Sequence, residues 1–423
     1  MNAIILPALL NGNIKAPSSK SVMQRMCALA LLHNGNTIIH QPGKCDDDLV
    51  ALNIIKKLGA DCKVEDDVLW INSDGKIKNA GELDFGESGL SCRMFSPIVA
   101  LTDGKVKIIG KGSLLRRDMT ELIKLLTLLD SDVNYKSTFL PIEIQGPISL
   151  KNIKIDGSKS SQYITGLLMA YAYAAESSLE IQVDHLVSRP YIDVTLDCLK
   201  QFGYHVSHDS YTHFYFNKRN AVPKKIEVHV EGDWSSASFF LVAGVIAGNI
   251  SIAGLNFNSH QADIAILDVL KSCKAIFEIH DGIIHVKQSE QLLGFRFDAT
   301  HAPDLFPILV CLAAFCSGQS VIKGVGRLIN KESNRAEAIM DVFTKLGVSM
   351  HVKDDELYVN GQATIKSVAV ASHHDHRIAM AVAITALRAE GTVTILDAEA
   401  VNKSFPDFFN RLKSLGGSVT LIH

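Results

Sequence analysis

No CxxC pair and no metal-like grouping occurs among the eight cysteines of this 423-residue chain. Cys27, Cys45, Cys62, Cys92, Cys198, Cys273, Cys311 and Cys316 are scattered, several inside apolar stretches. They read as reduced, buried small hydrophobes, which suits a cytoplasmic protein and gives no ligand spacing for a metal. Basic charge is not in excess either: 42 Lys and Arg stand against 45 Asp and Glu, a net charge of −3. With no aromatic-interleaved basic stripe, nucleic acid is excluded as a partner, and any cationic site must be local. Long hydrophobic runs are also missing. Phe239–Ala247 and Phe306–Phe315 are the strongest, and both fall short of the roughly 20 residues a membrane span requires. Ile4–Leu10 is interrupted by Pro7 and has no basic leader, so it reads as a first strand rather than a secretory signal. The remainder, 47% hydrophobic and 21% charged, is an ordinary globular balance. The length predicts two domains.

The chain repeats itself. Asp156-Gly157-Ser158-Lys159-Ser160-Ser161 precedes an apolar run, Tyr163–Ala175, and Glu231-Gly232-Asp233-Trp234-Ser235-Ser236 precedes Phe239–Ala247. Four weaker copies are Pro17–Lys20, Gly86–Gly89, His301–Asp304 and His373–His376, at offsets of about 70–76 residues. A second series of amphipathic helices is predicted to begin near Asp46, Asp118, Asp193, Asp263, Ala336 and Asp407. Several close on glycine, as in Leu58-Gly59, Phe202-Gly203, Leu346-Gly347 and Leu415-Gly416, the expected left-handed cap. Each unit therefore reads as strand, buried helix, strand, amphipathic helix and hairpin, six times over.

Serine, glycine and aspartate at these helix starts serve as caps without further function. Basic residues there oppose the helix dipole and lose hydration on an apolar helix, and a bound anion would reverse both effects. Lys20, Arg25, Arg93 and Arg377 occupy such places; Arg117, Arg189, Lys331, Arg335 and Lys403 recur before the second-series helices. Asp304, Glu332 and His376 lie among them and could serve as acid and base. The pattern points to a pocket for small phosphorylated, carboxylated metabolites.

These stretches also resemble the enolpyruvyl-shikimate-phosphate synthase family along nearly the whole chain. Those carrying the likeness are Ser19–Arg25, Asp156–Tyr163, Val187–Asp193, Glu231–Asp233 with Ser235-Ser236, Ala302–Asp304, Lys331–Arg335, Asp375–Arg377 and Lys403–Asp407. The resemblance implies an α/β (α+β) fold, a two-domain inverse α/β barrel with three βαβαββ repeats per domain. It suggests residues 20–228 as one lobe and 1–19 plus 229–423 as the other, with the active site in the cleft between them. The implied reaction is a 3-phosphoshikimate 1-carboxyvinyltransferase step of chorismate and aromatic amino acid biosynthesis. It moves the enolpyruvyl group of phosphoenolpyruvate onto the 5-hydroxyl of shikimate-3-phosphate through a tetrahedral intermediate. Asp304, Glu332, Lys20 and His376 would be catalytic. Lys20, Ser21, Arg25, Ser160, Ser161, Gln162, Ser188, Tyr191, Asp304 and Lys331 would hold shikimate-3-phosphate. Lys20, Gly89, Arg93, Arg117, Gln162, Arg335, Arg377 and Lys403 would surround phosphoenolpyruvate. No metal or organic cofactor is implied, and a cytoplasmic monomer is expected.

Departures accompany the matches. Glu87-Ser88-Gly89-Leu90 stands where the family often has Asn-Ala-Gly-Thr, so neither pocket shape nor response to glyphosate-like inhibitors follows from the resemblance. Asp118, Arg327, Asn334 and the bulky Trp234 also differ. The sister enzyme that uses UDP-N-acetylglucosamine usually carries a reactive cysteine in a loop of the first domain; Gly110–Arg117 has none. A non-catalytic scaffold would not need Lys20, Asp304, Glu332 and His376 together.

Overall fold

The computed structural model describes residues 1–218 and 220–422. Its helices, in chain order, are α1 (Lys20–Leu32), α2 (Asp46–Lys57), α3 (Gly89–Val99), α4 (Thr120–Leu128), α5 (Ser161–Ala174), α6 (Arg189–Gln201), α7 (Trp234–Ala247), α8 (Ile266–Ser272), α9 (Phe306–Phe315), α10 (Arg335–Lys345), α11 (His376–Ala386) and α12 (Phe408–Ser414). The odd-numbered members are the apolar series. Every residue of α7 is buried, as are all of α9 except Phe315. Such helices have no polar face to turn to water, and each large apolar side chain buried contributes about 1.5–3 kcal/mol. The even-numbered members each bury one stripe; in α6 it is Ile192, Val194, Thr195, Cys198 and Leu199.

Among the described residues the strands form six four-stranded sheets. The third shows the pattern. Ile153–Asp156 runs parallel to Leu179–Asp184, which pairs antiparallel with His213–Phe216, itself antiparallel to Ser207–Asp209. A parallel pair needs a long crossover, and α5 supplies it. Gly59, Gly203, Gly347 and Gly416, just past second-series helices, all adopt positive φ, as their cap positions require.

Local periodicity misses where some sheets find their strands. Lys225–His229 completes the first sheet beside Asn34–His40. Leu10–Lys15 opens the fourth beside Gly248–Ala253, and Asn2–Leu6 lies inside the sixth between Val393–Leu396 and Ser418–Ile422. The chain accordingly divides into two compact units, Ser18–Glu231 and Met1–Pro17 with Gly232–His423. Each contains three repeats.

Several second-series starts differ from expectation. α6 begins at Arg189 rather than near Asp193, because Pro190 fits the first helical turn and Ser188 turns into it from a left-handed conformation. Near Asp263 the chain first makes a 3-10 turn, Ala262–Ala265, before α8. Asp118 precedes α4 and accepts hydrogen bonds from the Thr120 amide (3.1 Å) and hydroxyl (2.6 Å).

Candidate functional site

Two clusters form, one in each unit. In Ser18–Glu231 the first is built on the N-terminal ends of α1, α3, α5 and α6. Lys20 opens α1 and places Nζ 2.9 Å from Asp47 Oδ2. One turn later, Arg25 is fully buried and donates to Thr195 Oγ1 (2.9 Å), the Ser21 carbonyl (2.7 Å), Thr165 Oγ1 (3.3 Å) and the Tyr191 carbonyl (3.2 Å). Burial lowers its pKa to about 10, partly offset by Cys198 and Tyr191. Four of its five N–H groups are thus committed to neutral protein acceptors, so Arg25 ties α1 to α5 and α6.

α3 begins at Gly89, with the Ser88 hydroxyl as its cap. Ser91 Oγ donates to Gln24 Oε1 of α1 at 2.8 Å. Arg93 Nη1 donates to Gln162 Oε1 at 2.9 Å, and its guanidinium lies 5.2 Å from the Tyr163 ring centre. Only 7% of Arg93 is exposed, its Nε has no hydrogen-bond partner, and no carboxylate among the described residues pairs with it. Arg117 follows the 3-10 turn Gly112–Arg116 and is equally buried. A Cβ at Gly89 would collide with the Arg117 guanidinium and lie 3.7 Å from Arg93 Nη1. Two buried guanidiniums therefore converge on a glycine at a helix N-terminus. Like charges without water repel, and the helix dipole adds to the repulsion; an anion relieves both costs. Ser160 caps α5 by accepting from the Gln162 amide (3.2 Å), and Ser161 begins that helix. Ser188 and Tyr191 stand at the start of α6, where Tyr191 N donates to the Ser188 carbonyl at 3.1 Å.

The other unit carries the second cluster. Asp304 lies in the 3-10 turn Pro303–Leu305 before α9, Arg335 opens α10, and Asp375 caps α11 through the Arg377 amide (3.0 Å). Arg335 is completely buried and bonds three carboxylates: Asp375 Oδ2 from Nε (2.9 Å), Asp304 Oδ1 from Nη1 (2.9 Å) and Glu332 Oε2 from Nη2 (2.6 Å). Arg377 Nη2 reaches Asp304 Oδ2 at 3.1 Å, Lys331 Nζ reaches Asp304 Oδ1 at 3.3 Å, and Arg377 Nη1 donates to Ser235 Oγ. Burial alone would raise the Asp304 pKa; Arg377, Lys331 and Arg335 overcome it and hold the carboxyl well below the usual range. His376 is buried at the start of α11, Nδ1 3.9 Å from Asp375 Oδ1, and Lys403 ends the 3-10 turn Ala398–Lys403. Three cations (Lys331, Arg335, Arg377) and three carboxylates (Asp304, Glu332, Asp375) meet through these bonds.

The structure joins Arg25 to Tyr191, Arg93 to Gln162, and Arg93 and Arg117 to Gly89, sets Lys20 beside Asp47, and gathers Asp304, Lys331, Glu332, Arg335 and Arg377 directly. Sequence reasoning missed Asp375, Asp47 and Ser235. Asp375 had a signal, an acid before His376-Arg377, but an acid at a helix start is equally a plain cap. Among the described residues, no group of three or more His, Cys, Asp or Glu side chains could hold a metal ion. No described helix is long and apolar enough to cross a membrane.

The family model for EPSP synthase (3-phosphoshikimate 1-carboxyvinyltransferase) matches residues 6–412. The 3-phosphoshikimate 1-carboxyvinyltransferase of Clostridium perfringens strain 13 is 33% identical over 417 residues, 98% of either chain. That of Clostridium acetobutylicum is 35% identical over 428 residues, 99% of this chain and 98% of its own. Among solved structures, an EPSP synthase from Acinetobacter baumannii has a TM-score of 0.80 at 26% identity, covering 99% of this chain and 100% of that one. The enolpyruvyl transferase NikO from Streptomyces tendae has a TM-score of 0.78 at 15% identity, a likeness of fold alone.

Proposed function

Because the chain belongs to the EPSP synthase (3-phosphoshikimate 1-carboxyvinyltransferase) family, with its inverse α/β barrel fold, we propose that the residues assembled above carry out that family's reaction here. The protein transfers the enolpyruvyl group of phosphoenolpyruvate to the 5-hydroxyl of shikimate-3-phosphate and releases phosphate, a step of aromatic amino acid biosynthesis. The observation that carries the site reading is the pair Arg93 and Arg117 converging on Gly89.

Phosphoenolpyruvate presents a carboxylate and a phosphate. Planar guanidinium forks suit both, and Lys20, Arg93, Arg117, Gln162, Arg335, Arg377 and Lys403 supply the cations and a polar amide. Ser160, Ser161, Ser188 and Tyr191, with Ser21 and Lys331, take shikimate-3-phosphate. Arg25 offers that ligand its one uncommitted N–H and otherwise fixes Tyr191 through the main chain.

Asp304 is the base at the 5-hydroxyl, assisted by Lys20. With three cations around it, Asp304 is a counter-ion and a weak base. An incoming anion that shares Arg335 and Arg377 weakens that hold, and the proton affinity of Asp304 rises as the nucleophile needs it. Glu332 delivers a proton to the methylene carbon of phosphoenolpyruvate, with His376 behind it. The tetrahedral adduct then returns that proton and expels phosphate. The working form we propose is a cytoplasmic monomer without a nucleic-acid partner, consistent with the net charge of −3.

Steady-state kinetics of Arg93→Ala and Arg377→Ala test the site. Each should raise KM for phosphoenolpyruvate about 10- to 100-fold, since a charge-assisted bond is worth roughly 1.5–3 kcal/mol. KM for shikimate-3-phosphate should stay near wild type. Unchanged KM for phosphoenolpyruvate in a folded variant would remove that residue from the site.

A further inference from the structure

Ahead of Arg117 the chain is held by more than packing. Glu87, one residue before the α3 cap, turns a carboxylate onto the next loop: Oε2 accepts from the Ser113 amide (3.1 Å) and from its hydroxyl (2.7 Å). Gly112 sits so close to Glu87 that a Cβ there would strike the carboxylate, and its φ of +48° is left-handed. Two neighbouring links run the same way, from the Lys111 amide to the Gly86 carbonyl (2.7 Å) and from Lys111 Nζ to Asp84 Oδ2 (2.9 Å). Ser113 is buried, and the 3-10 turn it belongs to delivers Arg117 against Gly89. The start of α3 and the turn bearing Arg117 are therefore fastened together through Glu87, at the place where this sequence departs from the asparagine common in the family it resembles.

We infer that Glu87 is a positioning residue for phosphoenolpyruvate: its carboxylate clamps Ser113 and so fixes the 112–117 turn that aims the Arg117 guanidinium at the N-terminus of α3. The inference rests on the proposal that Arg117 binds phosphoenolpyruvate. Cutting the clamp leaves the guanidinium chemically intact but loosely aimed, which weakens binding of the anion and leaves the shikimate-3-phosphate residues on α5 and α6 in place. Because one oxygen accepts both bonds, glutamine can keep them.

Kinetics of Glu87→Ala, Glu87→Gln, Ser113→Ala, Glu87→Ala/Ser113→Ala and Arg117→Ala test this. Glu87→Ala should raise KM for phosphoenolpyruvate about tenfold, as a misaimed binding group does, with KM for shikimate-3-phosphate unchanged. Glu87→Gln should restore KM for phosphoenolpyruvate to near wild type, and the double variant should be no worse than Glu87→Ala. If Glu87→Ala unfolds, Ser113→Ala carries the test, because it removes one bond of the clamp and should raise the same KM in part. The inference is overturned if Glu87→Ala, or Ser113→Ala in its place, leaves KM for phosphoenolpyruvate at wild type while Arg117→Ala raises it. It is likewise overturned if Glu87→Gln is as impaired as Glu87→Ala. Should Arg117→Ala itself leave that KM unchanged, the assignment of Arg117 to phosphoenolpyruvate fails instead.

Discussion

Arg93 and Arg335 are both buried guanidiniums, and their neighbours give them different tasks. Three carboxylates surround Arg335, and Asp375, at the cap of α11, holds it by two bonds, so it is oriented before any ligand arrives. Arg93 has an amide oxygen and an aromatic ring, and an anion is the partner its charge still calls for. Among the carboxylates, Asp48 behaves oppositely to Asp304. It is buried beside Cys45, whose amide (3.2 Å) and thiol (3.0 Å) it accepts, and burial pushes its pKa up to about 7. Between about pH 4, where an unfolded aspartate titrates, and pH 7, the native state keeps a proton that the unfolded chain releases. The stability Asp48 contributes is therefore full at acid pH, declines through that window and is flat above it. Thermal melts of Asp48→Asn against wild type should show the variant gaining relative stability from pH 4 to pH 7; parallel profiles would contradict the assignment. Asp304, held low by its cations, contributes stability above the unfolded value and loses it as pH falls toward its own pKa. Lys20, Arg93 and Arg377 were legible in the sequence because a cation at the start of an apolar helix has no local justification. Asp375, Asp47 and Ser235 were not, because an acid or serine at a helix start already has one.

Helices fix how closely these side chains can meet. Gly166 of α5 lies against the Met94 carbonyl of α3, and a Cβ there would overlap the backbone. The close approach lets Arg93 on α3 reach Gln162 on α5. Gly166→Ala should force the helices apart and cost about 1–3 kcal/mol, the usual penalty for overpacking a core. It should also raise KM for phosphoenolpyruvate; calorimetry and kinetics together check both, and a wild-type melt with wild-type KM would contradict the packing account. The apolar series was readable from sequence in type and position, since nothing but burial suits a run such as Phe239–Ala247. The amphipathic series was read less well at its starts. The sequence reading starts one of them near Asp193, but Pro190 at the first turn was the stronger signal and the helix begins at Arg189.

Over the whole chain, the repeat is visible in spacing, while its closure is not. Asn2–Leu6 pairs with Val393–Leu396 and Ser418–Ile422, and Leu10–Lys15 with Gly248–Ala253. Such pairings join segments hundreds of residues apart, and no periodicity within a window encodes them. They do have a consequence for folding. Ser18–Glu231 contains all three of its sheets, whereas 232–423 lacks strands for two of its own. A fragment of residues 18–231 should fold cooperatively by circular dichroism, while 232–423 without 1–17 should not; the reverse result would contradict the division into units.

Release of inorganic phosphate from phosphoenolpyruvate, followed with shikimate-3-phosphate or with UDP-N-acetylglucosamine as acceptor, tests the central assignment most directly. Enolpyruvyl transfer by this protein predicts phosphate with shikimate-3-phosphate, none with the nucleotide sugar, and a vinyl ether at the 5-oxygen of the product. Phosphate release with the nucleotide sugar alone, or with neither acceptor, would contradict it.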